Sequence, residues 1–291
     1  MSAQPALVSI LTPSYNQARW LGDNLRSVAS QTYPQIEHVV MDGGSTDGSV
    51  GLLESIAGPA VWRSEADEGQ SDALNKAFAA ATGDVIGWLN SDDAYFDTAV
   101  VADVVGFFEA HPDVDIVYGH TAYVNAAGLI LHMMWVPPFS KWLLRSYDFI
   151  VQPAVFMRRS ALKMPLVDTS YQFAMDYELW LRLSRDRRFA RIDRVLAIDR
   201  VQAGRKSLGS LDVFASDIAR LRERYGVAMT RSWSRALQSV IHVLSRMLGM
   251  RLICATQAEL AFTSSPIRAS RLLWRQIAGR RSRMPVEGVE P

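Results

Sequence analysis

The first ninety residues repeat one arrangement of apolar and polar positions four times. A short, continuous apolar run leads into a polar turn, and the turn leads into a segment whose apolar residues recur three or four places apart. The apolar runs occupy residues 7–12, 36–41, 60–63 and 84–89. Helical spacing follows them through Trp20, Leu21, Leu25 and Val28, through Leu52, Leu53 and Ile56, and over about 71–81. Unbroken apolar strands separated by amphipathic helices predict an α/β domain in which a parallel sheet is covered by helices on both faces.

Beyond residue 113 the pattern changes. Residues 116–140 carry no formal charge, but Gly119, Asn125, Gly128 and the Pro137-Pro138 pair cut the stretch into strand-length pieces. That predicts strands at 114–118, 121–124 and 128–135 at a mixed sheet edge, rather than a membrane span. Trp135, Pro137, Phe139 and Trp142 then form an aromatic segment, suited to stacking on a sugar, to a lipid interface or to the core.

The chemistry-bearing residues cluster directly after the predicted strands. In open α/β sheets ligands bind at the carboxyl ends of strands, so four such clusters predict one site. Asp92-Asp93 ends the fourth strand, and paired hard oxygens there suit Mg²⁺ or Mn²⁺; the same residues also favour a plain Asx turn. Asp42 can accept from a base or ribose, and Gly43 and Gly44 let a ligand approach the backbone. Ser45 or Thr46 can equally cap a helix there, with Asp47 in its first turn. Gly69-Gln70-Ser71-Asp72 opens a helix whose free amides could meet a phosphate, and Lys76 one turn on is a phosphate partner or a solvated lysine. No G-x-G-x-x-G follows the first strand, which disfavours a dinucleotide fold.

Composition adds limits. A chain of 291 residues can hold one large domain with an appendage, and its single cysteine, Cys254, excludes an intramolecular disulfide and a cysteine-rich zinc site. The first apolar run lacks a preceding basic segment and is expected to be a strand rather than a signal peptide, with a cytoplasmic setting. The net charge of +1 conceals an asymmetry: residues 229–291 hold ten arginines and three glutamates, giving that tail +7 and the remainder −6. Helical spacing over 234–262 and 266–283, among those arginines, predicts a basic amphipathic extension that lies on an anionic leaflet or packs on protein. No uncharged stretch in it is long enough to span a bilayer.

The motifs in sequence carry a family resemblance. Thr-Pro-Ser-Tyr-Asn at 12–16, Asp-Gly-Gly-Ser-Thr-Asp-Gly at 42–48, Gly-Gln-Ser-Asp-Ala-Leu-Asn-Lys at 69–76 and Trp-Leu-Asn-Ser-Asp-Asp at 88–93 resemble a family 2 glycosyltransferase of the GT-A fold. The likeness continues through Gln-Pro-Ala-Val-Phe at 152–156 and Met-Asp-Tyr-Glu-Leu-Trp-Leu-Arg-Leu at 175–183, covering about residues 6–207. It implies a Rossmann-like mixed sheet with a C-terminal helical extension. The catalytic domain would occupy 1–228, with its nucleotide-sugar half at about 1–113 and its acceptor half at about 114–228.

The implied activity is inverting transfer of a sugar from a nucleotide-diphosphate sugar to a hydroxyl of a glycan or lipid-linked acceptor, in surface polysaccharide or glycolipid assembly, with no nucleic-acid partner. Carried over by position, Thr12, Pro13, Tyr15, Asp42, Gly43 and Asp72 line the nucleoside pocket, Asp93 holds the divalent metal, Asp92 supports metal or donor, and Asp176 is the general base. Asp176 opens a predicted helix, where the macrodipole favours its charged form.

Two positions depart from the pattern. Met175 stands where an acidic residue is common, and Gln202 stands where a histidine is common. The resemblance leaves phosphate charge to Arg200, Arg205 or Lys206, the last two on a loop flanked by Gly204 and Gly209. These departures keep a non-catalytic nucleotide-sugar binding subunit open as an alternative, and the metal-dependent fold type keeps a sugar nucleotidyltransferase open.

Overall fold

The computed structural model describes residues 5–55, 60–202 and 211–227, with 239–240 and 243. Four parallel strands form one side of its sheet: β1 (Val8–Ser14), β2 (Ile36–Asp42), β3 (Ala60–Ser64) and β4 (Val85–Trp88). Helices α1 (Ala18–Ala29), α2 (Ser49–Ser55) and α3 (Gln70–Ala80) connect them. The other side holds β5 (Ala94–Tyr95), β6 (Ile116–Val124), β7 (Ile130–Met134), β8 (Val155–Arg158) and β9 (Phe189–Arg200), with helices α4 (Val100–Ala110), α5 (Lys141–Ser146), α6 (Met175–Leu183) and α7 (Leu211–Tyr225). All nine strands share one mixed sheet in the order β3-β2-β1-β4-β8-β6-β9-β5, with β7 on β6. The antiparallel β4–β8 pairing makes the two predicted halves continuous.

The sheet is buried on both faces, which explains why its strands are unbroken apolar runs. Val8 and Ile10 of β1 point into a cluster with α4, whereas Leu11 points into a cluster with α3 and α6. β4 divides in the same way, with Val85 on the α4 side and Ile86 and Trp88 on the α3 and α6 side. Each fully buried side chain of this size contributes roughly 1.5–3 kcal/mol. On α1 the buried residues Trp20, Leu21, Asn24, Leu25 and Val28 fall at helical spacing.

The predicted strands at 114–118 and 121–124 are one strand, β6, whose register against β9 shifts on either side of His120. The predicted third piece shortens to β7. Among the described residues no helix is long and apolar enough to cross a membrane. Arg205, Lys206 and the helices expected at 266–283, together with nearly all of that expected at 234–262, lie outside the described residues.

Candidate active site

The loops after β1, β2, β3 and β4 open on one cavity of about 1040 Å³, closed by the segments before β8 and α6. The loops fix one another through their own polar side chains. Asn16, with φ of 51°, donates its amide to Ser45 Oγ at 2.7 Å, and its Oδ1 accepts from the Thr46 amide at 2.9 Å. Asp47 Oδ2 accepts from the Ala18 amide at 2.8 Å, and its Oδ1 accepts from the Ser49 hydroxyl at 2.6 Å. Burial works against that carboxylate, but these hydrogen bonds outweigh it and lower its pKa.

Of the residues expected on the nucleoside side, Pro13, Tyr15 and Gly43 line the cavity, and Tyr15 is 61% exposed. Thr12, Asp42 and Asp72 do not, because their side chains are used to build the wall from behind. Thr12 is fully buried; its Oγ1 donates to the Leu89 carbonyl at 2.8 Å and lies 2.9 Å from His38 Nε2. Burial drops the His38 pKa to about 4, so that ring is neutral. Asp42 is 2% exposed and accepts from the Ser45 amide at 2.8 Å, the Ser45 hydroxyl at 2.5 Å and the Ser64 hydroxyl at 2.7 Å. Asp72 accepts from the Glu68 amide at 3.2 Å and pairs with Lys76 at 3.1 Å; the amide first, then Lys76, holds its pKa below the usual value. Lys76 also reaches Glu65 at 3.5 Å, so its charge is met by two carboxylates of the wall.

A Cβ on Gly43 would lie 2.7 Å from Asp67 Oδ2, so any other residue there would displace the Asp67 carboxylate, which lines the cavity and whose Oδ1 accepts from the Gly69 amide at 2.8 Å.

The Asn90–Asp93 turn is held from three directions. The Asp93 amide closes the turn on the Asn90 carbonyl at 3.0 Å, and Asn24 Nδ2 donates to the same carbonyl at 2.8 Å. Asn90 is a hub: its Oδ1 accepts from Gln70 Nε2 at 2.9 Å and Trp88 Nε1 at 2.8 Å, and its Nδ2 donates to Gln152 Oε1 at 2.8 Å. Asp92 and Asp93 both line the cavity.

Arg200, expected as a phosphate contact, sits behind the acidic turn. It is 2% exposed, lies outside the cavity lining, donates its Nε to the Asp92 carbonyl at 3.2 Å, and pairs with Asp23 at 3.0 Å. Its guanidinium also lies 4.4 Å over the Trp20 ring, and its backbone amide donates to Asp93 Oδ1 at 3.2 Å. Desolvation lowers its pKa, opposed by Asp23, Asp93 and Asp92. The charge therefore anchors the acidic turn from beneath. Gln202 joins it: Nε2 donates to Asp92 Oδ2 at 3.0 Å, and Oε1 accepts from Trp20 Nε1 at 3.2 Å. A glutamine with these two partners orients the Asp92 carboxylate without adding charge.

Asp176 lies in the first turn of α6 and lines the cavity, with its Oδ1 accepting from the Tyr177 amide at 2.8 Å. The loop before it is clamped by Asp217 of α7, whose Oδ2 accepts from the amides of Gln172, Phe173 and Ala174 at 3.0, 2.8 and 3.2 Å. Met175 is buried, and its sulfur accepts from the Ser71 hydroxyl at 2.8 Å. An acidic side chain is thus replaced by a packing contact between α3 and α6.

Further lining residues come from segments without a motif. Tyr123 and His132 stack with ring centroids 4.6 Å apart, 7° from parallel, and Met134, Tyr147, Ile150, Val151 and Phe173 make this side of the cavity largely apolar. Only the cross-strand register of β6 and β7, which sets Tyr123 opposite His132, announces the stack. Among the described residues six aspartates line the cavity, at 67, 92, 93, 148, 176 and 199, and no lysine or arginine does.

The acidic Asp92-Asp93 turn at the carboxyl end of the parallel strands and the helix-start carboxylate of Asp176 thus line one cavity. The model for glycosyl transferase family 2 matches residues 9–164, more than half of the chain, and the chain belongs to that family. A glycosyltransferase of Mycobacterium tuberculosis is 41% identical over 107 residues, which are 36% of this chain and 40% of that protein. A PGL/p-HBAD biosynthesis glycosyltransferase of Mycobacterium bovis is 32% identical over 117 residues, 39% of this chain and 46% of that one. The chain thus matches less than half the length of either relative.

Among solved structures, S. aureus TarS in complex with UDP-GlcNAc superposes with a TM-score of 0.58 at 18% identity, covering 74% of this chain and 66% of that one. A mannosyltransferase from Pyrobaculum calidifontis in complex with GDP-Man and Mn²⁺ superposes with a TM-score of 0.57 at 18% identity, covering 98% and 89%. The mixed sheet with its helices is the GT-A fold of these enzymes.

Proposed function

We propose that this chain is an inverting glycosyltransferase that moves a hexose from a nucleotide-diphosphate sugar to a hydroxyl of a glycan or lipid-linked acceptor. The observation that carries the reading is the sharing of one cavity by the Asp92-Asp93 turn and Asp176. The related structures hold UDP-GlcNAc or GDP-Man, which supports a nucleotide sugar as donor. The PGL/p-HBAD biosynthesis relative supports a glycolipid or polysaccharide setting.

A diphosphate cannot sit stably against an acidic lining that offers no lysine or arginine among the described residues. A divalent metal, Mg²⁺ or Mn²⁺, resolves that conflict, and the hard oxygens of Asp93 and Asp92 are the donors to hold it. Among the described residues no group of three or more His, Cys, Asp or Glu side chains able to hold a metal occurs, and Asp92 and Asp93 are the carboxylates that would hold it. When bound, the metal acts as a Lewis acid on the departing phosphate oxygens. Arg205 and Lys206 bring positive charge from residues outside those described.

The protein groups then have distinct tasks. Arg200 and Gln202 hold the acidic turn in place, the Asp42 loop closes over the nucleoside, and the apolar side excludes water from the acceptor. Asp176 takes the proton from the acceptor hydroxyl as its oxygen attacks the anomeric carbon from the face opposite the leaving diphosphate. The basic tail, 229–291, brings the enzyme to an anionic leaflet on the cytoplasmic side.

Transfer from UDP-GlcNAc and GDP-Man to lipid-linked and soluble glycan acceptors, with Mn²⁺ or Mg²⁺, tests the reading. Asp176→Asn should lower turnover by roughly 100- to 10,000-fold, the usual range for a lost general base, while nucleotide still binds. Undiminished turnover in that variant would remove Asp176 from its role. Release of pyrophosphate instead of nucleoside diphosphate would indicate a nucleotidyltransferase.

A further inference from the structure

Asp148 lies between α5 and the turn that carries Gln152, in a segment no motif marks. It lines the same cavity as Asp176. The residue is half-buried, yet its Oδ1 is closed to solvent and meets no hydrogen-bond partner among the described residues. Its chain neighbours Tyr147, Phe149 and Ile150 are all buried.

An ionised carboxylate placed there would leave a charged oxygen unpaired and out of water, close to a second acid. Among the described residues no lysine or arginine lines the cavity around it; Tyr147 precedes it, Asp176 and Tyr177 of α6 interact with it electrostatically, and Tyr123 and His132 share the cavity from β6 and β7. Burial lifts the Asp148 carboxyl well above the ordinary carboxylate range, the charge of Asp176 adds to the lift, and only the Ile150 amide opposes it. Two carboxylates sharing a poorly hydrated site do not both ionise.

We propose that Asp148 is a positioning residue for the transfer reaction, a carboxylic acid kept neutral beside Asp176 so that the pair carries one negative charge. The proposal rests on the reading of Asp176 as base. The neutral acid offers hydrogen bonds to the acceptor's hydroxyls and leaves Asp176 alone to receive a proton. In the step itself the acceptor O–H proton passes to Asp176, its oxygen bonds to the anomeric carbon, and the bond from that carbon to phosphate oxygen breaks. The electron pair of that bond leaves on the nucleoside diphosphate. The pair then holds two protons and no charge, which suits a largely apolar pocket, and one proton returns to water as product departs.

The test compares the full chain with Asp148→Asn, which keeps the shape and cannot ionise. Because the folded-state pKa is raised, the wild type suffers no ionisation penalty below the unfolded value of 3.8 and a growing one as pH rises toward the folded value. The melting temperature of Asp148→Asn should therefore match the wild type near pH 4 and exceed it increasingly toward pH 8.

In transfer assays Asp148→Asn should show a flatter dependence of rate on pH than wild type as pH rises. Asp148→Ala should raise the acceptor KM roughly tenfold, the usual effect of one lost hydrogen bond in such a site, and leave nucleotide binding intact. A melting temperature below wild type at pH 7–8 would show that Asp148 is charged and structural, and would overturn the proposal. Loss of transfer in Asp148→Asn as complete as in Asp176→Asn would show that Asp148 acts ionised, as the base itself. Full activity in Asp176→Asn would instead remove the base reading and the pairing with it, while the melting data still report the protonation of Asp148.

Discussion

The two walls of the cavity are built on opposite principles. On the nucleotide side nearly every polar side chain is used in a hydrogen bond to a neighbouring loop: Asp42 to Ser45 and Ser64, Asp47 to Ala18 and Ser49, and Asn16 to Ser45 and Thr46. On the acceptor side stacked and apolar residues predominate, and Asp148 has an oxygen without a partner among the described residues. On the proposed reading the first wall is preorganised for a ligand of fixed chemistry, a nucleoside diphosphate, and the second sets shape and dryness for the carboxylate that acts there.

Acid should separate the walls most strongly. His38 supports the nucleotide side from beneath Thr12, with its pKa lowered to about 4 from 6.5. A histidine with a depressed folded pKa contributes its full stability above the unfolded value and loses it as pH falls toward the folded one. Between about pH 6.5 and 4 the chain should therefore lose about 3 kcal/mol on this account, read as denaturant midpoints across pH. His38→Gln should flatten that slope. The Asp148 contribution runs the opposite way over the same window, so Asp148→Asn should steepen the net acid sensitivity.

A smaller effect is expected at the hub between the walls. Asn90→Ala leaves Gln70, Trp88 and Gln152 without their shared partner and should cost about 2 kcal/mol, measured by thermal or denaturant unfolding. It should also weaken nucleotide binding, because the Asp92-Asp93 turn starts from Asn90. Smallest of all, Tyr123→Ala removes one ring of the stack and should raise the acceptor KM by about fivefold, or roughly 1 kcal/mol, with the donor KM unchanged. A shift in donor KM instead would erase the division between the walls.

The same contrast decides what was legible in the sequence. The strands of the nucleotide side are continuous apolar runs because both sheet faces are covered, and their clusters fall in local turns, so one pass along the chain locates them. What local reading does not give is direction: the Thr12, Asp42, Asp72 and Arg200 side chains are engaged with neighbouring elements and are not among the cavity's lining. Burial and hydrogen-bond partners settle such matters, and those depend on residues such as Leu89, Ser64 and Asp23 that are distant in sequence.

The acceptor side depends on even longer separations. Asp217 clamps the loop before Asp176 from over forty residues away, and Tyr123, Asp148 and Phe173 line one cavity although they are far apart in the chain. β9 itself intersperses Arg and Asp with apolar residues and is only half-buried over its first four residues, so no simple strand pattern marks it. α4 is so rich in valine and phenylalanine that its helical period is masked.

The central claim is one cavity with a metal-assisted nucleotide wall and a separate base. Calorimetric binding of UDP and GDP, with and without Mn²⁺, to wild type, Asp93→Ala and Asp176→Asn tests it most directly. The account predicts that one nucleotide binds in a Mn²⁺-dependent way, that Asp93→Ala abolishes this dependence, and that Asp176→Asn keeps it. Metal-dependent binding that survives Asp93→Ala, or that disappears in Asp176→Asn, would contradict it.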